Sequence, residues 1–354
     1  MRKGLLISGY HSLSQASWAD FIIEELTHID WSMIALPPRY FSWRMRGNPL
    51  SIGQLAPELV TREYDVILAT ASVDLATIQS IYPALRNTSS TLYFHDNQFD
   101  YPAANNPQSV VDWQITHIYS AIRANKLLFN SQYNQDSFLN GVKRLMKKMP
   151  DLAPKKLPDE LKKKSVILPV PIKPFPTQRT VRATNHLRVI WNHRWEWDKC
   201  PDLLEATVNI LEASNASIEV IITGQEFRTK PENFERLQRK STIVSHCAFV
   251  ENESDYHALL SSCDIVLSTA IHEFQGIAVL EAVAAGCVPL LPNRLSYPEM
   301  YSSDYLYESN GNFEQQGQKI ANKLKLWKEF GLPKAPDMSH FYRSNLKNDY
   351  KFEL

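Results

Sequence analysis

Two glutamates eight residues apart, Glu273 and Glu281, sit in the stretch HEFQGIAVLEAVAAGCVPLLP (272–292). Glu281 is the only charged residue between Phe274 and Pro292. A carboxylate in so apolar a helix is costly to bury without partners. It therefore either lies on an exposed stripe or accepts hydrogen bonds from a pair of ligand hydroxyls. Residues 276–285 are strong helix formers, and Gly286 is placed to end the helix. Glu273, Phe274 and Gly276 then fall at its mouth, where backbone N–H groups favour anionic ligands.

A second polar cluster occurs in RVIWNHRWEWDKCPDLL (188–204), where an apolar run ends in a turn holding Arg194 and Lys199 before Pro201 opens a helix. Two cations five residues apart at the end of a strand could clamp a diphosphate, Arg through a planar fork and Lys as a point charge. The alternative is an ordinary charged surface turn. In TLYFHDNQFDYP (91–102) a third strand delivers His95 and Asp96 to a loop. The chain contains no D-x-D metal motif, no P-loop and no G-x-G-x-x-G in its first strand–helix turn. With no metal expected, a departing diphosphate must be stabilised by cationic side chains and a helix N-terminus.

Elements that could position these residues recur along the chain. Short Ile/Val/Leu runs appear at 5–8, 33–36, 66–69, 91–94, 127–130 and 166–168, then at 187–191, 218–223, 243–249, 265–268 and 288–291. Helix-like stretches such as 14–26, 110–123, 201–212, 255–262 and 276–285 lie between them. Continuous apolar strands alternating with helices indicate parallel sheets covered on both faces. The α/β pattern occurs twice, so two doubly wound domains are expected, with ligands at the carboxyl ends of their strands. Prolines 169, 171, 174 and 176 in LPVPIKPFPTQ (168–178) mark an extended, semi-rigid linker. The expected division is 1–172, 173–335 and a tail, 336–354, that packs back on the first domain.

The 38 basic and 38 acidic residues cancel, which argues against a protein coated in basic charge for nucleic acid, though not against a local patch. Residues 143–164 hold nine basic and three acidic residues, a local excess of six. By itself such a run reads as a solvated, mobile loop. The four cysteines form no C-x-x-C pair and read as buried free thiols. No apolar run approaches membrane-spanning length and the start lacks a signal-peptide cleavage pattern, so a cytoplasmic location without membrane attachment is expected.

Together these stretches resemble the retaining GT-B glycosyltransferases, whose two Rossmann-like domains face each other across a cleft. Glu273 and Glu281 match that family's E-x7-E motif, which implies that Glu273 contacts the donor sugar and Glu281 the ribose hydroxyls. Arg194 and Lys199 match its diphosphate pair, and His95 its amino-domain histidine. More narrowly, LPPRYFSWRMRGN (36–48), YFHDNQFDYP (93–102), FNSQYN (129–134), HRWEWDKCPD (193–202), TAIHEFQGIAVLEAV (269–283), LSYPE (295–299) and YLY (305–307) are similar to the tRNA-queuosine α-mannosyltransferase family. The likeness covers nearly the whole chain, although the first turn, GYHSLSQASW, lacks that family's Gly-Ser-His. It implies transfer of mannose from GDP-mannose to queuosine in the anticodon of tRNA-Asp, with no other cofactor. Arg39, Trp43, Arg44 and Arg46, interleaved with Tyr40 and Phe41, suit stacking on a splayed base and holding phosphates. With Asp96 they are the expected acceptor contacts, and the basic segment 143–164 would track the RNA backbone. The alternatives are a related transferase with a lipid or polysaccharide acceptor, or a binding module without turnover. Oligomeric state stays open.

Overall fold

The computed structural model describes residues 1–100, 107–175, 186–226 and 231–354. Backbone contacts divide the chain into two compact units, Met1–Pro171 with Arg343–Leu354, and Ile172–Tyr342. Each carries one six-stranded sheet in which every pairing is parallel.

In the first unit the strands are β1 (Arg2–Ser8), β2 (Ile29–Ala35), β3 (Val66–Thr70), β4 (Ser89–Phe94), β5 (Lys126–Phe129) and β6 (Ser165–Ile167). Their spatial order is β2-β1-β3-β4-β5-β6, so the order reverses between β1 and β3. The second unit has β7 (Leu187–Trp191), β8 (Ile218–Ile222), β9 (Val244–Cys247), β10 (Ile265–Leu267), β11 (Val288–Pro292) and β12 (Leu306–Tyr307). Its order, β12-β11-β10-β7-β8-β9, is the dinucleotide-fold order and reverses between β7 and β10. Both sheets are buried on two faces. Val189 and Trp191 of β7 join one apolar cluster while Ile190 joins the other, and β8 divides Val220 and Ile222 from Ile221 in the same way.

Two strands differ from the sequence reading. β2 begins four residues before the apolar run at 33, because it is an edge strand whose Asp30 is exposed. β12 has two residues and no apolar run to announce it. The proline-rich segment is extended as far as it is described, to Phe175; Pro176, Thr177 and Gln178 lie outside the described residues. It is more than a linker, since Leu168, Val170 and Ile172 are buried and the Ile172 amide donates to Phe341 O at 2.9 Å.

Segment 143–164 is a correction. It is not a loop but the end of a helix, Gln132–Lys148, and a second short helix, Leu157–Lys162. Leu145, Met146, Leu157 and Leu161 are buried beneath it, so its apolar positions anchor what composition alone reads as a solvated charge run. All four cysteines are buried. Among the described residues no helix is long and apolar enough to cross a membrane.

The terminal helix Arg343–Glu353 belongs to the first unit. Its fully buried Tyr350 accepts from Trp18 Nε1 at 3.0 Å, donates to Pro169 O at 2.9 Å, and lies 3.1 Å from the Tyr93 hydroxyl. Tyr93 in turn donates to Leu168 O at 2.7 Å. Removing one buried partner leaves the others unsatisfied. Tyr350→Phe is therefore expected to lower stability by about 1–3 kcal/mol, read as a lower midpoint in urea with an unchanged slope.

Candidate functional site

In an open parallel sheet, ligands collect where strand order reverses, because the loops on either side there run in opposite directions and leave a crevice. In the second unit that point lies between β7 and β10. The loops leaving those two strands, 192–200 and 268–276, carry Arg194, Lys199, Glu273, Phe274 and Gly276.

Lys199 ends a single 3-10 turn, Trp197–Lys199, and is almost fully buried. Its ammonium donates to His272 O at 2.7 Å and to Glu273 Oε2 at 3.2 Å. It also forms an ion pair with Asp198 Oδ2 at 3.2 Å. Three acceptors within 3.2 Å thus face the three N–H donors of the ammonium. Burial alone would push the Glu273 carboxyl up, but Lys199 and His193 outweigh it and hold the group at about 2. Asp198 is likewise held below the carboxylate range, because Lys199 and His272 overcome its burial. Both carboxylates are ionised at neutral pH. His193 is neutral, its pKa lowered to about 4 by burial and then by Lys199, and its Nε2 lies 2.9 Å from Ser268 Oγ.

The loop after β10 is braced by side chains that look remote in sequence. Tyr297, of LSYPE, places its hydroxyl 2.9 Å from Ser268 Oγ, and Tyr307, of YLY, donates to Ser268 O at 3.0 Å. Thr269 Oγ1 accepts from Trp191 Nε1 and donates to Lys199 O, tying the two loops together. Gly224 passes so close to His193 O that a Cβ would lie 1.7 Å from it, so only glycine fits there. Gly276 has φ +77° and caps the helix Ile277–Ala284, whose first N–H groups open beside Glu273. Arg194 is half exposed and pairs with Glu196 at 3.0 Å.

Glu281 lies one turn into that helix in a different environment. Burial pushes it up to about 7, and the Tyr256 hydroxyl, donating at 3.3 Å, offsets only part of the shift. Tyr256 is itself held by Asn192 Nδ2 at 3.1 Å, which also donates to Ala278 O at 2.7 Å. The two glutamates of one motif therefore differ sharply: Glu273 is ionised and Glu281 titrates near neutrality.

In the first unit His95 follows β4, its ring against Trp18 and Tyr93 at centroid distances of 4.8 and 4.6 Å. Both ring nitrogens are buried without a hydrogen-bond partner among the described residues, and burial followed by His11 lowers its pKa to about 3, so it is a neutral imidazole. Its loop is pinned by amides of FNSQYN: Asn130 donates to His95 O, and Asn97 donates to Asn134 Oδ1 at 2.8 Å. Asp96 is half-buried beside it; Tyr101 and Pro102 lie outside the described residues.

The aromatic–arginine segment forms the start of a helix, Phe41–Leu55. It does not present its arginines equally. Arg44 is buried, donating to Pro37 O and Ser51 Oγ at 3.3 Å each, and so serves the fold of its own turn. Arg46 is half exposed and bonded to Thr116 and Asp74. Trp43 is half exposed, and Arg39 stacks over Tyr40. Tyr40, grouped with the stacking aromatics in the sequence reading, is 72 % exposed and held at φ +57°. Sequence reasoning missed Asp198, His272, His193, Asn192 and Tyr256. The first four lie inside the quoted motifs, but only folding shows that Asp198, His272 and His193 stand around Lys199 and that Asn192 holds Tyr256.

A cluster of buried charges at the reversal point of one sheet, beside a helix N-terminus, is where such a fold takes a phosphorylated ligand. Comparison with known proteins gives the same class. The chain has the two-Rossmann fold of GT-B glycosyltransferases. It matches a UDP-forming α,α-trehalose-phosphate synthase structure from Burkholderia xenovorans over 100% of this chain and 98% of that one, with TM-score 0.68 and 12% identity. It also matches S. aureus TarM over 85% of its length, spanning 55% of that longer chain, with TM-score 0.57 and 14% identity. Residues 3–172 match the profile of the tRNA-queuosine alpha-mannosyltransferase N-terminal domain, and residues 179–339 that of glycosyl transferases group 1. A Drosophila melanogaster tRNA-queuosine alpha-mannosyltransferase is 34% identical over 318 residues, which is 86% of this chain and 83% of the relative. The chain belongs to the tRNA-queuosine alpha-mannosyltransferase family and is a glycosyltransferase.

Lys199→Met would leave two buried carboxylates without their cation. The expected loss is about 3–5 kcal/mol at neutral pH. Because Glu273 is depressed from 4.5 to about 2, the stabilisation is fully present above about pH 5 and is lost as pH falls toward 2. The gap between wild type and variant in chemical denaturation should therefore close in acid.

Proposed function

We propose that this chain transfers mannose, with retention of configuration, from GDP-mannose to queuosine in the anticodon of tRNA-Asp. The observation that carries the transfer chemistry is the buried Lys199, paired with Glu273 and Asp198 in the loops beside the helix N-terminus at Gly276. The queuosine acceptor rests on the relative's name and on the extent of the match. The bond from the anomeric carbon to the diphosphate oxygen breaks, and its electron pair leaves with the diphosphate. Arg194, Lys199 and the helix N-terminus stabilise the charge that develops there, a role that needs no metal ion. A queuosine hydroxyl oxygen forms the new bond on the same face and passes its proton to the departing phosphate oxygen. Glu273 and the neutral His95 orient the sugar hydroxyls, and Glu281 accepts from the two ribose hydroxyls. Arg39, Tyr40, Trp43, Arg46 and Asp96 are the proposed contacts to the acceptor.

The decisive assay follows radiolabelled mannose from GDP-mannose into bulk tRNA from cells that make queuosine and from cells that do not. Label is expected only in the first, and undiminished by a chelator. Label in both, or only in a lipid or polysaccharide fraction, would reject the acceptor.

Glu281 sets a pH dependence. A carboxylate must be ionised to accept two hydroxyl donors, and this one carries its proton below about pH 7. GDP affinity, measured by titration calorimetry, is expected to weaken up to tenfold per unit below that value and to level off above it. Glu281→Gln should flatten the profile. Tyr256→Phe, which removes a donor to the charged form, should move its midpoint upward.

A further inference from the structure

The helix pair Gln132–Lys148 and Leu157–Lys162 carries a concentration of charge that the transfer site does not use. Lys143, Arg144, Lys147 and Lys148 are all exposed on the first helix, and Lys162 and Lys163 are exposed at the end of the second. The connecting turn adds exposed Lys155 and Lys156. None of these side chains has an ion pair or hydrogen bond to any described residue. Other surface cations of the first unit are paired, as in Lys126–Glu353, Arg343–Glu24 and Lys347–Glu25. The chain is neutral as a whole, so the excess of six here is balanced by an acidic remainder. Cations in the last turn of a helix are favoured by its dipole, which accounts for Lys147, Lys148 and Lys162 but not for Lys143, Arg144, Lys155 and Lys156.

We propose that this face binds the phosphate backbone of an RNA arm remote from the nucleoside that reacts, so that the acceptor is recruited as a polynucleotide. This rests on the RNA-acceptor reading above. Three observations favour RNA. The cations are unneutralised, and they stand on a docked pair of helices rather than on a loose chain. Their place on the helix is also informative. The helix starts at Gln132, two residues after Asn130, whose side chain holds the His95 carbonyl. At 1.5 Å per residue Lys143, Arg144, Lys147 and Lys148 lie roughly 17–24 Å along the axis from that end. A free nucleoside cannot span that length, whereas a stem continuing from an anticodon loop can. An acidic membrane fits less well, because interfacial binding needs an apolar face. The apolar positions of this pair, Leu145, Met146, Leu157 and Leu161, point inward, leaving only Leu152 fully exposed.

The test compares a variant with Lys143, Arg144, Lys147 and Lys148 all changed to Gln against one with the three lysines changed to Arg. Phosphate contacts carry no sequence information. The Gln variant should therefore lose at least tenfold in affinity for full-length tRNA at moderate salt, equally with and without queuosine. Its log–log salt slope should flatten by about one for each phosphate left without a cation. The Arg variant should bind as wild type, GDP binding should be unchanged in both, and neither should bind anionic vesicles. Wild-type affinity and salt slope in the Gln variant would overturn the proposal. So would a loss confined to vesicle binding. If the Gln variant loses tRNA affinity while wild type transfers no mannose to queuosine tRNA, the surface stands and the acceptor reading fails.

Discussion

The second unit is organised around one buried ammonium. Lys199 stands between Asp198 and Glu273, with the His272 carbonyl as a third partner, and each of these groups would be costly where it lies without the others. The arrangement fixes the relative position of two loops that come from opposite sides of a topological reversal. It also keeps Glu273 ionised in a place where burial alone would neutralise it. Much of the surrounding structure serves that geometry: Thr269 joins the loops, Tyr297 and Tyr307 brace Ser268, and Gly224 permits the close passage of His193.

The same environment separates the two glutamates of the motif. Glu273 has a cation within hydrogen-bond distance, whereas Glu281 is held by a tyrosine hydroxyl in a helix of low polarity. Two identical side chains eight residues apart thus acquire different protonation near neutrality, which suits one to permanent charge and the other to accepting hydroxyl donors. In the first unit the corresponding device is apolar. His95 is kept neutral by burial among aromatic rings, and the Tyr93–Tyr350–Trp18 cluster that supports it draws in the last helix of the chain. The C-terminal residues therefore contribute to holding a loop encoded some 250 positions earlier.

Several features were legible in the sequence because they depend on local pattern. Apolar runs buried on both faces announced ten of the twelve strands near their observed places, and β2 by its second half. Glu273, Glu281, Arg194 and Lys199 stood out because charge is rare beside such runs. β12 stayed hidden, since two residues on a sheet edge need no apolar run. The basic segment 143–164 misled as to its form because twelve of its 22 residues are charged, while the few apolar residues that anchor it are recognised only by their spacing.

Residue type and order by themselves determined the α/β alternation, the division into two sheets and which side chains stand at strand ends. These follow from periodicity and from where glycine, proline and charge interrupt it. Only the tertiary structure decided what those side chains do to one another: that Lys199 is spent largely on Glu273 and Asp198, that Arg44 is turned inward, that Tyr256 and Asn192 hold Glu281, and that Tyr40 stands exposed. Burial and distance set the strength of every charge interaction. Neither is a property of a residue's neighbours in sequence.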